Sequence, residues 1–381
     1  MILDAFILAV VLGSSVSLTG WVRHYALRKG MLDHPNHRSS HSVPTPRGGG
    51  LAFVVVYLAA LSFLALQGDI AARTYVALVG GGFVVAGIGY WDDRQSLSPQ
   101  VRVLGHLLAA AWAIIWLGGM PPLALGVTTV HWGLLGHLVG IVGLAWMINL
   151  FNFMDGIDGI AGSEAAFVAV TGGTFLAADG SGGLAWVAWM LAAVSIGFLF
   201  WNWSPAKIFM GDVGSGFLGF ILASLAIAGA REYPASLWLW LILLGVFIVD
   251  ATTTLIRRMI QGEKWYKPHR SHAYQHAALC CCSHQRITLG VLAINLLWLL
   301  PWAIIGWQWP QLVIPVTVVS LIPLVWVAVR LGAGKKEVEL DMAWFSLRSW
   351  PVWGNLKRPL RPGLRSPHKL GDRTESSSSG R

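Results

Sequence analysis

The chain has 381 residues, 55% hydrophobic and only 12% charged, with 27 Lys and Arg against 18 Asp and Glu. A soluble domain carries about twice that share of charge, so the composition excludes a water-soluble enzyme. The net charge of +9 does not point to nucleic acid, because it is divided among separate loops with no recognisable binding module.

Eleven apolar stretches come near or above the roughly 17 residues that span a bilayer: 2–22, 48–66, 74–91, 103–118, 133–151, 161–178, 184–201, 214–230, 236–257, 287–307 and 311–330. The predicted fold is all-α, a polytopic integral membrane protein of about eleven transmembrane helices. The first stretch lacks a charged leading region and a small-residue cleavage site, so it is read as a retained helix. With the N-terminus outside, 25 of the 27 Lys and Arg fall on the inside and only Arg73 and Arg231 outside. Basic loops stay cytoplasmic, so the C-terminus is cytoplasmic too. The predicted organisation is a membrane domain, 1–331, and a basic cytoplasmic tail, 332–381, partly disordered. Trp344, Phe345, Trp350 and Trp353 suit the tail to the inner membrane surface.

The polar residues gather at span ends on that inner side. The first inside loop runs from Asp33 to the Gly48-Gly49-Gly50 triplet and offers Arg38, His41 and Arg47 as phosphate contacts. Asp92 and Asp93 follow the third span. Neighbours on a helix point about 100° apart, which predicts separate roles for the two carboxylates. Asn149, Asn152, Asp155 and Asp158 recur every three residues and are expected to line one polar stripe. Amides read a base or a sugar amide, and carboxylates suit a metal or a nucleobase N–H.

Farther along, Lys207 precedes the glycine-rich run Phe209 to Gly216, which carries Asp212. A helix beginning there would present free N–H groups to phosphate. Asp250 lies inside its span with Arg257 seven residues on, and an internal Asp–Arg brace is as good a reading as a catalytic role. His269, His272 and His276 have the spacing of a helical zinc triad, but Arg270 is interleaved and no Cys or acid completes the set. A diphosphate clamp built on His269, Arg270 and His272 is the better reading. Cys280, Cys281 and Cys282 are read as inert and unpaired in a reducing compartment.

Together these runs resemble the polyprenyl-phosphate N-acetylhexosamine-1-phosphate transferases, a group within glycosyltransferase family 4. The runs that carry the resemblance are Asp92-Asp93, Asn149 to Gly159, Phe209 to Gly214 and the His269/His272 loop. Residues 205–208 and 268–276 are similar to the O-antigen-initiating branch, which uses UDP-N-acetylfucosamine or UDP-N-acetylquinovosamine. The peptidoglycan branch instead has a His-rich run in this loop and a Thr near the position of Arg47.

The resemblance implies a Mg²⁺-dependent transferase, with Mn²⁺ as an alternative ion. It would move N-acetylated sugar-1-phosphate from a UDP-N-acetyl sugar to undecaprenyl phosphate, release UMP and initiate lipopolysaccharide O-antigen or a related glycan. Carried over by position, Asp212 binds the metal, and Asp92, Asp93 and Asp155 are catalytic. Asn149, Asn152, Asp158, Arg38, His41, Arg47, Lys207, His269, Arg270 and His272 hold substrate. The implied location is the bacterial inner membrane with the site facing the cytoplasm, among membrane lipid and compatible with a homodimer. The rival reading is a polytopic transporter of an anionic substrate. Transporters place their acids near the bilayer midplane, whereas these acids sit at one interface.

Overall fold

The computed structural model describes residues 2–35, 43–264 and 269–335. Arg38, His41 and almost all of the predicted tail lie outside the described residues. The protein is mostly helical. In order come α1 (Ile2–Lys29), β1 (Leu32–Asp33), β2 (Thr45–Pro46), α2 (Gly49–Gln67), α3 (Ala72–Gln95), α4 (Pro99–Trp116), β3 (Leu123–Leu125), β4 (Thr128–Val130) and α5 (Gly133–Met154). They are followed by α6 (Ile160–Ala178), α7 (Gly182–Asn202), α8 (Asp212–Glu232), α9 (Ser236–Leu243), α10 (Gly245–Ile260), α11 (Ala273–Cys281), α12 (His284–Ile294), α13 (Leu300–Gln308) and α14 (Val313–Arg330).

Each of the eleven apolar stretches is helical. Among the described residues nine helices are long and apolar enough to cross a membrane unaided, and a tenth span would be the bent pair α9 and α10. Peripheral apolar side chains such as Phe83, Ile115, Leu134 and Leu297 are more than 70% exposed. Such a surface is unfavourable in water and suits lipid.

Helix α8 is the hub, and its most apolar window is 100% buried. It packs against α3, α5 and α2. Small residues allow this closeness, as they do in membrane bundles generally. A Cβ on Gly50 would fall 2.6 Å from the Gly214 Cα, and one on Gly89 would fall 2.5 Å from the Val213 nitrogen. The start of α8 is thereby wedged between α2 and α3.

Three local features depart from the sequence expectation. The 236–257 stretch is not one helix: it breaks at Leu244 and turns by 74°. There Gly245 packs onto Leu299 and Leu321, contacts between distant segments that local pattern does not reveal. The long inside loop after α10 contains a short helix, α11. A π-helical turn, Asn295–Leu299, joins α12 to α13 within one long helix.

Candidate active site

The first inside loop is stitched to the segment before α8. Phe209 N–H donates to Pro46 O at 2.8 Å, and the Gly49 and Gly50 N–H groups donate to Phe209 O and Met210 O at 2.9 Å each. This ladder delivers Arg47 to the head of α8. Its Nη2 lies 2.8 Å from Asp93 Oδ1 and 3.1 Å from Asp212 Oδ1.

Asp93 reaches from α3 to cap α8, accepting from Asp212 N–H at 3.0 Å and Val213 N–H at 3.4 Å. Gly211 makes the approach feasible: its φ is 76°, and a Cβ there would meet Asp93 Oδ2 at 2.5 Å. The helix start that the sequence offered to phosphate is therefore taken by a carboxylate of the protein itself. Asp92 leaves α3 in a different direction from Asp93, as adjacent helical residues must, and its side chain also hydrogen-bonds that of Asp212. Asp92 accepts from Leu97 N–H at 2.6 Å and from Arg102 Nη1 at 2.9 Å.

The polar stripe divides. Asn149 and Asn152 remain on α5, with Asn149 Nδ2 3.0 Å from His106 Nδ1 and Asn152 Nδ2 3.4 Å from Ser215 Oγ. The helix then ends at Met154, and Asp155 stands at its C-cap. Asp155 makes no hydrogen bond to another described residue. Burial, reinforced by the charge of Asp212, pushes its carboxyl well above the ordinary carboxylate range. Past Gly156 the chain turns, and Asp158 leaves the stripe. One of its oxygens is 3.2 Å from His284 Nδ1, and the other accepts from Ala206 N–H at 3.2 Å. Burial raises the Asp158 carboxyl, but His284 and the Ala206 N–H outweigh it and hold it below the usual range. Asp158 pins α12 to the 203–211 segment.

Two connected cavities lie beside this cluster. A small one of about 20 Å³ touches Asp92, Arg102, His106, Asn149, Asn152 and Asp212. A larger one of about 310 Å³ shares Arg102, Asn149, Asn152 and Phe153 and extends to His269, His272 and Tyr274. That volume is within the range of small-molecule sites. Phe153 and His272 flank His269, with ring centroids 6.3 and 5.0 Å from it. Burial, aided by the neighbouring His272, pushes His269 down to about 3. It is neutral near pH 7 and offers a hydrogen bond but no charge.

His272 is buried with its Nδ1 3.4 Å from Asp250 Oδ1. Asp250 forms no brace with Arg257, whose Nη1 donates to Ala333 O at 2.6 Å. Asp250 instead accepts from the Ala273 and Tyr274 N–H groups at 2.9 Å each, capping α11. Tyr274 Oη in turn donates to Phe153 O at 2.9 Å. Gly156 must lack a side chain here, because a Cβ would collide with that phenol oxygen.

The structure thus gathers Arg47, Asp92, Asp93, Asn149, Asn152, Asp155, Asp212, His269 and His272. Lys207 does not join them: its Nζ lies 5.6 Å from the Trp201 ring centroid, on the α1–α7 side. Arg270 is not among the residues lining the larger cavity. Arg102 and His106 were not anticipated, although one turn of α4 separates them and places both on one face.

Among the described residues no three His, Cys, Asp or Glu side chains form a ready-made metal cage. Mg²⁺ does not require one, since it commonly binds through one or two carboxylates together with substrate phosphates. Asp92, Asp93, Asp155 and Asp212 bring four carboxyl groups together beside Arg47 and Arg102, and Asp212 remains 21% exposed at its side chain. Hard oxygen donors fit a divalent cation, which binds carboxyl groups in their deprotonated form.

A family model described as glycosyl transferase family 4 matches residues 75–230, from α3 through most of α8. A decaprenyl-phosphate N-acetylglucosaminephosphotransferase of Mycobacterium leprae is 32% identical over 305 residues, covering 71% of this chain and 76% of the relative. The chain belongs to glycosyl transferase family 4. Other members include a probable undecaprenyl-phosphate N-acetylglucosaminyl 1-phosphate transferase of Bacillus subtilis, 28% identical over 77% of this chain and 84% of its own. A phospho-N-acetylmuramoyl-pentapeptide-transferase of Thermosynechococcus vestitus is 33% identical over 66% and 68%. The family's matched segment contains Asp92, Asp93, Asn149, Asn152, Asp155, Asp158 and Asp212.

Proposed function

We propose that this protein transfers an N-acetylhexosamine-1-phosphate from a UDP-sugar to a polyprenyl phosphate such as undecaprenyl phosphate, releasing UMP. The observation that carries the reading is the Arg47–Asp93–Asp212 cluster at the head of a buried helix, beside a cavity walled by Asn149, Asn152, His269 and His272.

In this reaction a lipid-phosphate oxygen attacks the phosphorus that bears the sugar. The bond from that phosphorus to the bridging oxygen breaks, and UMP leaves with the oxygen. Such transfers need charge neutralisation and in-line placement more than covalent chemistry. Mg²⁺, when bound, supplies neutralisation at the phosphates, and Asp212 is the carboxylate to hold it. Arg47 fixes the Asp212 carboxylate, and Asp93 fixes the helix that carries both Asp212 and Ser215. Asp92 sets Arg102 at the junction of the two cavities, where a guanidinium can meet phosphate. Asp155, without a hydrogen-bond partner in the described protein, is the carboxyl left for substrate. Asn149 and Asn152 lie on the nucleotide-sugar side.

The relatives named for N-acetylglucosamine favour that sugar in the donor. The 268–276 run favours N-acetylfucosamine or N-acetylquinovosamine and a role in O-antigen initiation. The decisive assay is UMP release by purified protein with undecaprenyl phosphate, Mg²⁺ and a panel of these UDP-sugars, with and without EDTA. We expect metal-dependent UMP and a lipid-linked diphospho-sugar from one donor. No turnover with any donor, from folded protein, would refute the assignment and revive a transporter.

A further inference from the structure

Away from the cleft, two cations share one indole. Arg23, near the end of α1, places its guanidinium carbon 5.5 Å from the Trp201 ring centroid, and Lys207 Nζ is 5.6 Å from the same centroid and 6.0 Å from that of Phe200. Arg23 Nε also donates to the Lys207 backbone O at 3.2 Å, which ties α1 to the 203–211 segment. Cations at the inner membrane surface are attracted to anionic lipid headgroups. Among the described residues neither Arg23 nor Lys207 has a carboxylate partner.

The indole beneath them is a built feature. Trp201 Nε1 donates to Val16 O at 2.9 Å, and Gly20 makes room for the ring, since a Cβ there would lie 2.8 Å from Trp201 Cζ2. The surroundings suit the boundary between lipid tails and headgroups. Trp21 and Phe200 are more than 60% exposed, Tyr25 is 44% exposed, and the Trp21 and Tyr25 rings stack at 5.9 Å. Exposed Trp and Tyr favour that boundary, with their apolar bodies toward the tails and polar edges toward water. The patch lies at the same end of the bundle as the active site, because Lys207 begins the short segment that leads to Asp212.

We infer that Arg23 and Lys207, seated on Trp201, form a binding site for the phosphate of an anionic phospholipid headgroup between α1 and α7. A headgroup phosphate there would be a counter-ion for the cations on the indole, and the acyl chains would follow the exposed aromatic side chains into the bilayer. The site would tie the 203–211 segment to the membrane surface. The assignment does not depend on the proposed transfer reaction.

The test is native mass spectrometry of the full chain, released from nanodiscs containing phosphatidylglycerol and phosphatidylcholine. Each cation near an anionic lipid surface contributes about fivefold in binding, so Arg23→Gln with Lys207→Gln should weaken retention of phosphatidylglycerol about 30-fold. Retention of phosphatidylcholine should stay unchanged. Arg23→Lys, which keeps the charge, should retain most of the preference. The melting temperature of the double variant in phosphatidylcholine alone should match the wild type, which separates lost lipid from lost fold. An unchanged phosphatidylglycerol preference in the folded double variant overturns the inference. So does complete displacement of the lipid by millimolar inorganic phosphate, which would identify free phosphate as the ligand.

Discussion

Helices α8 and α11 both begin on a carboxylate borrowed from another helix. Asp93 of α3 accepts from the first two N–H groups of α8, and Asp250 of α10 accepts from the first two of α11. Their surroundings differ. Asp250 is 4% exposed and further satisfied by Thr254 and His272. Asp93 shares its oxygens with Arg47, which is itself 38% exposed at its side chain and also holds Asp212. The Asp250 cap is closed and serves the fold. The Asp93 cap adjoins the cavities and holds Arg47 and Asp212 in register. Similar local chemistry thus sits in two settings, one closed and one open to the cavities.

Substitutions should separate the two caps. The largest effect on turnover should come from Asp212→Asn, which keeps the shape of the α8 head and removes the carboxylate proposed to hold the metal. UMP release should fall about a thousandfold, on the scale of lost transition-state stabilisation, with an unchanged melting temperature. A variant with wild-type activity would remove Asp212 from the metal role.

Asp93→Ala should lower turnover about a hundredfold by releasing Arg47 and Asp212, with a stability loss of about 1 kcal/mol, typical of a helix cap. Asp250→Ala should reverse the balance. It strands two buried N–H groups, each worth about 1–3 kcal/mol, so thermal unfolding should shift strongly while activity per folded molecule survives better. Equal behaviour of the two variants in paired melting and turnover assays would break the comparison.

Gly156→Ala should disturb the same α11 region from the other side, by forcing Tyr274 off the Phe153 carbonyl. Adding Tyr274→Phe removes the colliding oxygen and should restore part of the lost stability, so the two changes should be non-additive in a double-mutant cycle.

The smallest effect is a pH dependence. His269 is held down to about 3 by burial, below its unfolded value near 6.5. Protonation therefore favours the unfolded chain: the stabilisation is complete above about pH 6.5 and declines as the pH falls toward 3. Melting temperature should drop between pH 7 and pH 5, and His269→Phe should flatten that slope.

The membrane helices were legible because long apolar runs are local signals. The acids of the cluster were legible because carboxylates at span ends require a reason. Harder to read was everything set by contact between distant segments. Helix α11 is held by an acid more than twenty residues earlier in the chain, a contact that its own sequence does not reveal. The bend at Leu244 depends on packing against Leu299 and Leu321. The stripe from Asn149 to Asp158 looked continuous because the period ignores where the helix stops. Asp158 lies past that stop and is claimed by His284. Arg102 and His106 were visible in principle as a pair on one face of α4, but a basic pair at a span end first suggests topology.

Helix α8 has one more consequence. Its central stretch meets protein on every side, so it has no hydrophobic length of its own to match to the membrane. Helices such as α1 and α14 face lipid, and tilting is how spans accommodate thicker or thinner bilayers. The head of α8 is insulated from that adjustment, so Asp212 keeps its depth relative to Asp93 and Arg47 while the outer helices adapt. The proposed site is thereby mounted on the part of the protein that membrane thickness should reach least.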